Sequence, residues 1–162
     1  MAKNFLAWPW ADRDRNIGEA KRSSLETINR ILVAEDFAPF RAFVSSMLHE
    51  KPELQVICEA SDGLEAVRWA RELNPDLILM DIGLPKLNGI DAARQIREWL
   101  PNSRIVFLTQ ESSSEVVQEA FRLGALGYVH KPKAGSDLYS ALAAALQDKR
   151  FVSSGLSGPE EV

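Results

Sequence analysis

The chain is nearly without cysteine. Cys58 stands alone among 162 residues, so no disulfide can form within it. That fits a reducing compartment. Cys58 itself falls in an apolar, strand-like pattern and is expected to be inert core. A strong charge of one sign is also lacking. Nineteen basic residues face 23 acidic ones, for a net charge of −4. A sequence-independent nucleic-acid binder needs a basic surface, so that class is disfavoured. No apolar run approaches the length that crosses a bilayer. Phe5-Leu6-Ala7-Trp8 is interrupted by Pro9 and Asp12, which argues against a secretory leader. There is no Gly-rich loop with a lysine, no internal repeat, and no serine or cysteine with a plausible catalytic base. What remains is an ordinary apolar content of 46%, ample for one core with tails on either side.

The most informative stretch is Asp76-Leu77-Ile78-Leu79-Met80-Asp81-Ile82-Gly83-Leu84-Pro85. Four apolar residues after Asn74-Pro75 are too few for a helix and read as a strand buried on both faces. The run ends on an acid, and a carboxylate at the end of a buried strand is costly unless compensated. Gly83, Pro85 and Asn88-Gly89 then turn the backbone sharply. Asp81 is either the cap of that turn or a reactive group at the carboxyl end of a central strand.

Along the chain, residues 1–27 sustain no period and read as a flexible N-terminal extension. Its Trp8 and Trp10 either dock on the domain or a partner, or reflect an upstream mis-assigned start. A folded domain follows over 28–150, and 151–162 has the Ser/Gly composition of a linker tail. Within the domain, strands are predicted at Arg30–Ala34, Leu54–Glu59, Leu77–Met80, Arg104–Thr109 and Gly127–Lys131. Pro39 opens a helix whose apolar face is Phe40, Phe43, Val44, Met47 and Leu48. Further helices follow Asp62-Gly63, carry Ile90 to Leu100, run from Ser112-Ser113-Ser114 to Leu123, and span Ser136–Gln147. Strands alternating with helices demand a parallel sheet covered on both faces.

In such a sheet every strand's carboxyl end lies on one edge. There the sequence places Glu35 and Asp36, then Asp81, Thr109 and Lys131. Three carboxylates in one pocket repel one another. A bound divalent cation and the ammonium of Lys131 would both offset that repulsion, and an all-oxygen ligand set favours a hard ion such as Mg²⁺. The plainer readings are helix capping for Glu35 and Asp36, a strand-end hydroxyl for Thr109, a surface lysine for Lys131 and a structural role for His130.

Taken in order, Glu35-Asp36, Asp81 with Leu84-Pro85 and Gly89, Thr109, and Lys131-Pro132 resemble the receiver domain of two-component response regulators, the NarL/FixJ-type receivers in particular. Ser61-Asp62-Gly63 and Gly124-Ala125-Leu126-Gly127-Tyr128 add to the likeness, which runs from about Ile28 to Lys149. The resemblance implies a flavodoxin-like, doubly wound (βα)5 fold with a five-stranded parallel sheet in the order 2-1-3-4-5. It implies that Asp81 accepts a phosphoryl group, that Glu35, Asp36, Asp81 and the Gly83 carbonyl hold Mg²⁺, and that Lys131 and Thr109 contact phosphoryl oxygens. It implies a cis Lys131–Pro132 bond. Thr109 and Tyr128 would form the switch, acting on the helix from Ser114 to Leu123, the fifth strand and the last helix. Gly83 and Glu111 would tune loss of the phosphoryl group, and Gln110 stands where the family has a small residue. The expected partners are a sensor histidine kinase or phosphotransfer protein and a downstream protein target, in the cytoplasm, with a homodimer left open. The chain is expected to be no enzyme beyond self-phosphorylation from a phosphodonor and autodephosphorylation. The residues after Phe151 are too few for a helix-turn-helix domain, so direct DNA binding is not expected.

The competing readings are a fragment of a longer transcriptional regulator, a small phosphotransfer enzyme with Asp81 as nucleophile, and a flavin or nucleotide binder. The enzyme reading wants a second acid two residues after the nucleophile, where this chain has Gly83. The nucleotide reading wants a phosphate loop after the first strand, where Glu35-Asp36 repels phosphate.

Overall fold

A computed structural model describes residues 27–156 and 158. The extension expected over 1–27, with Trp8 and Trp10, falls outside this range except for Thr27, as do residues 157 and 159–162 of the tail. In order, the elements are β1 (Asn29–Ala34), α1 (Ala38–His49), β2 (Leu54–Ala60), α2 (Gly63–Leu73), β3 (Leu77–Met80), α3 (Gly89–Trp99), β4 (Arg104–Thr109), α4 (Ser114–Arg122), β5 (Gly127–His130), α5 (Ala134–Leu146) and β6 (Phe151–Val152). The sheet order is β2-β1-β3-β4-β5-β6, and every pairing is parallel.

Period-two alternation of the strands sorts the apolar residues to two faces. Leu32, Ile78, Met80, Ile105, Phe107 and Tyr128 meet α2, α3 and α4 on one face. Ile31, Val33, Leu77, Leu79, Val106 and Val129 meet α1 and α5 on the other. Each large side chain so buried contributes about 1.5–3 kcal/mol of transfer free energy. The helices begin where the sequence offers caps. Asp62 accepts from the Glu65 amide, Asn88 from Asp91 and Ser113 from Val116. The flavodoxin-like class holds, and all strand carboxyl ends share one edge.

Four groups of expectations require correction. The sheet has a sixth strand. Asp148 adopts a left-handed φ of 58° and the chain doubles back beside β5. The Phe151 amide then bonds Leu126 O at 2.9 Å. So the tail is not linker from its start, and Ser153 is only 1% exposed. Second, β5 ends at His130, and Lys131–Lys133 form a 3-10 turn that leads directly into α5. The Lys131–Pro132 bond, expected cis, is trans: no cis peptide bond occurs among the described residues. Pro132 lies in the first positions of a helical turn, where a trans proline with fixed φ fits. Third, Phe43 is 45% exposed. It lies at the rim of the α1 stripe and packs on the Phe40 ring, with centroids 5.8 Å apart. Fourth, Cys58 is half-buried on edge strand β2 rather than core. Burial and the nearby Glu65 and Glu59 charges raise its thiol pKa, which keeps it protonated and unreactive.

Candidate functional site

β1 and β3 are neighbours in the middle of the sheet, and their carboxyl ends deliver Glu35 and Asp81 side by side. Both are buried, with 3% and 6% exposure, and the Asp81 amide bonds Ala34 O at 3.0 Å. The turn after Asp81 is tight because Gly89 returns to it. A Cβ on Gly89 would meet the Asp81 carbonyl oxygen at 2.1 Å, so only glycine fits. Lys131 comes from the turn after β5. Its Nζ donates to Glu35 Oε1 and to Asp81 Oδ2, both at 2.9 Å, and sits 4.8 Å from the Phe40 ring centroid. Asp36 completes the acidic group from a solvent-exposed position. One ligand atom from each of Glu35, Asp36 and Asp81 falls within 4.8 Å of the others.

The electrostatics follow from this packing. With all groups ionised, one ammonium faces three carboxylates and two negative charges stay uncompensated. Glu35 responds. Burial, reinforced by the Asp81 charge and opposed by the Lys131 hydrogen bond, pushes its pKa up to about 7. For Lys131, burial alone would lower the pKa, but the bonds to Glu35 and Asp81 outweigh burial and raise it. An arrangement that keeps a carboxyl half-protonated near neutrality is a poor stability device. It suits a site that takes up a hard cation and an anion together. The donor set fits Mg²⁺: oxygen ligands only, one of them exposed enough to keep waters on the ion.

The plainer readings fare poorly. The N-cap of α1 is Phe37, without a side-chain cap bond, so capping does not account for Glu35 and Asp36, although Glu35 Oε1 does accept from the Phe37 amide at 3.2 Å. Lys131 is not a surface lysine, since its side chain is 10% exposed.

Of the remaining predicted residues, Thr109 and Glu111 lie at the adjoining β4–α4 loop, Tyr128 and His130 reach that loop from β5, and Gly83 lies in the turn after β3. Thr109 is 2% exposed, and its Oγ1 accepts from the Glu111 amide at 3.3 Å. Tyr128 is fully buried, and its hydroxyl donates to Glu111 O at 2.7 Å. Burial raises its phenol pKa well above the ordinary value. The Glu111 carboxylate accepts from the Ser113 amide at 3.1 Å and so serves the start of α4. Gly83 is exposed, its amide donates to Asp81 Oδ1 at 3.2 Å, and a Cβ there would approach nothing closer than 3.9 Å. Water therefore has open access on that side. His130, read as structural, has Nε2 3.2 Å from Gln110 O.

Two contributors escaped the sequence reading. Phe40 lies under the Lys131 ammonium, and Arg41 Nη1 holds Glu35 O at 2.7 Å. Both stand one turn into α1, on the side facing the strand ends, and that spacing from Glu35 is the only signal that could have marked them.

An open parallel α/β sheet with three acids and a lysine converging at its carboxyl edge defines a class of phosphoryl-handling signalling modules. Comparison with known proteins makes this specific. A family profile described as "Response regulator receiver domain" matches residues 31–143. The chain belongs to that family, the receiver domains of two-component systems. It is 35% identical over 129 residues to the transcriptional regulatory protein LiaR of Bacillus subtilis, covering 80% of this chain and 61% of that protein. It is 39% identical over 123 residues to the transcriptional regulatory protein PdtaR of Mycobacterium tuberculosis, covering 76% and 59%. Among solved structures, it is similar to a LuxR-family two-component response regulator from Aurantimonas sp. SI85-9A1, with a TM-score of 0.76, 35% identity and coverage of 79% and 91%. The response regulator domain of Thermotoga maritima CheB gives a TM-score of 0.69 at 32% identity, with coverage of 74% and 97%. The chain spans about half the length of the curated relatives it matches. No described helix is long and apolar enough to cross a membrane.

Proposed function

We propose that Asp81 is the phosphoryl acceptor and that this receiver switches a protein-interaction surface when it is phosphorylated. The observation that carries the reading is Lys131 bridging Glu35 and Asp81 at 2.9 Å within a buried, over-acidic pocket. An Asp81 carboxylate oxygen attacks phosphorus in line, a P–O bond forms, and the bond from phosphorus to the donor's leaving atom breaks. The leaving group departs with the electron pair and is protonated from solvent. Lys131 then pairs with a phosphoryl oxygen, and Thr109 gives up its bond to the Glu111 amide to donate to another. Glu35, Asp36 and Asp81, with the Gly83 carbonyl, would hold Mg²⁺, which when bound supplies charge neutralisation for the transferring group. Open access beside Gly83 and the engagement of the Glu111 carboxylate with the Ser113 amide support a reading in which water entry at Gly83 tunes the phosphoryl lifetime.

The donor on this reading is a sensor histidine kinase or phosphotransfer protein, and the output is a downstream protein in the cytoplasm. The chemistry of this chain is limited to self-phosphorylation and autodephosphorylation. A second reading, the receiver portion of a longer transcriptional regulator, is favoured by the chain's partial coverage of its relatives. Incubation with Mg²⁺ and acetyl phosphate tests the chemistry common to both. Intact mass gains one phosphoryl group in the wild type and none in Asp81→Asn. A wild type that stays unmodified while folded contradicts it.

A further inference from the structure

The two edges of the sheet are finished differently. At one, β6 is two residues long and closes the sheet beside β5. At the other, β2 runs for seven residues, Leu54–Ala60, and no described strand pairs with its outer side. A long edge of unpaired amides and carbonyls is a template for another extended segment, and folded proteins commonly cover it. Here it borders a groove of about 1110 Å³ between β2 and α1. One wall is β2 itself, whose Leu54 and Val56 turn to the α1 side and are only half-buried. The opposite wall is Ala42, Ser46 and His49, stacked at helical spacing and all exposed. Ala42 and Ser46 are small, which keeps the groove open.

Ile28 lines the same groove and is exposed. It is the residue just before β1, so the chain that precedes the domain enters at the groove. Residues 1–26 are not among the described ones, but their sequence carries a matching segment. Between Lys3 and Asp12 no residue is charged, and Phe5-Leu6-Ala7-Trp8-Pro9-Trp10 stands there. Leu6, Trp8 and Trp10 alternate, so an extended backbone turns all three to one face. Pro9 biases Trp8 towards that extended conformation. In an edge strand, alternate residues point their backbone groups to the neighbour and to solvent. With Trp8 and Trp10 bonded to β2, Pro9 takes the solvent side, where its missing N–H costs nothing. Reach is no obstacle: extended, residues 11–26 span up to about 50 Å, against about 23 Å for the length of β2.

We propose that the groove between α1 and the outer edge of β2 is the docking site of this chain's own Phe5–Trp10 segment. The segment adds to β2 as an outer strand and sets Leu6, Trp8 and Trp10 against α1, a strand addition made within one chain. The entry of the chain beside the groove favours this occupant over a separate partner, because the linkage keeps the segment at high local concentration. The proposal does not depend on the phosphoacceptor reading.

Residue-resolved hydrogen exchange on the whole chain, at two protein concentrations, tests it. The wild type is compared with Trp8→Ala/Trp10→Ala, with the Leu77–Met80 amides as the control for an intact core. The β2 amides that turn away from β1 are expected to exchange about tenfold faster in the double variant, while the control amides are unchanged. Ser46→Arg, at an exposed position of α1, blocks the groove from its other wall and is expected to release the same amides. In a chain carrying Trp69→Phe and Trp99→Phe, only Trp8 and Trp10 remain to fluoresce. Their quenching by iodide is then expected to rise when Ser46→Arg is added. Outer β2 amides unprotected in the wild type would overturn the proposal, as would equal protection with and without the two tryptophans, or quenching unmoved by Ser46→Arg. Protection that fades on dilution would assign the groove to a second copy of the chain instead.

Discussion

The acid pocket at the ends of β1 and β3 and the seam between β5 and β6 are both buried and polar, yet they are built on opposite terms. In the pocket, Glu35 and Asp81 share a single ammonium, and the Glu35 pKa rises to about 7 because burial leaves its charge unfavourable. In the seam, the hydroxyl of Ser153 has a donor and an acceptor, and nothing is left over. The pocket holds unsatisfied charge that a cation and a phosphoryl group can use. The seam holds matched, mostly neutral hydrogen bonds, whose net worth is modest and whose loss is a graded opening. On the proposed function the chemistry belongs to the first region, while the second holds the sheet edge together.

Removing Lys131 breaks the pocket most severely. Lys131→Met leaves two buried carboxylates facing each other and is expected to cost about 3–5 kcal/mol of stability at pH 8 in urea denaturation. The loss shrinks at pH 5, where Glu35 holds its proton. An equal loss at both pH values would mean that lost packing, not charge, accounts for it.

Acidity comes next. The Glu35 pKa stands at about 7 in the folded, metal-free protein, against an ordinary 4.5. The folded state therefore binds a proton more tightly than the unfolded chain, and metal-free stability falls as pH rises through that window. On the proposed reading, Glu35 would have to give up this proton to hold Mg²⁺. Mg²⁺ affinity, followed by titration calorimetry, is expected to weaken up to about tenfold per pH unit below 7. An affinity flat between pH 6 and 8 would remove Glu35 from the ligand set.

The seam should respond more gently. Ser153→Ala leaves the His130 amide and the Asp137 carboxylate without their partner and is expected to cost about 1–2 kcal/mol. Unlike Lys131→Met, it should show little dependence on pH between 6 and 8. A pH-dependent loss there would mean that the seam also carries charge strain, and the contrast between the two regions would fail.

The same contrast explains what could be read from the sequence. The first five strands were legible because each is a short apolar run bounded by turn residues, as Leu77–Met80 is by Pro75 and Gly83. The pocket was legible because parallel topology forces every strand end to one edge, so Glu35, Asp81 and Lys131 converge without any knowledge of side-chain geometry. Strand β6 was not. Two residues cannot display a period, and Ser-Ser-Gly after them has the composition of a linker. The seam's partners, Asp137 and His130, lie 16 and 23 residues from Ser153, with no local pattern to join them. Phe43 matched the apolar spacing of α1 but sits at its rim, where a helix that covers a sheet edge presents part of its stripe to solvent. The trans bond at Pro132 depended on how tightly α5 follows β5, which family likeness did not convey.

The central claim is that Asp81 itself carries the phosphoryl group. Borohydride reduction of the phosphorylated chain, followed by peptide mapping, tests it most directly, because an acyl phosphate on aspartate is converted to homoserine. The account predicts homoserine at position 81 and nowhere else, with Glu35 and Asp36 unchanged. Reduction product at Glu35 or Asp36, or a phosphoryl group retained on His130, would contradict it.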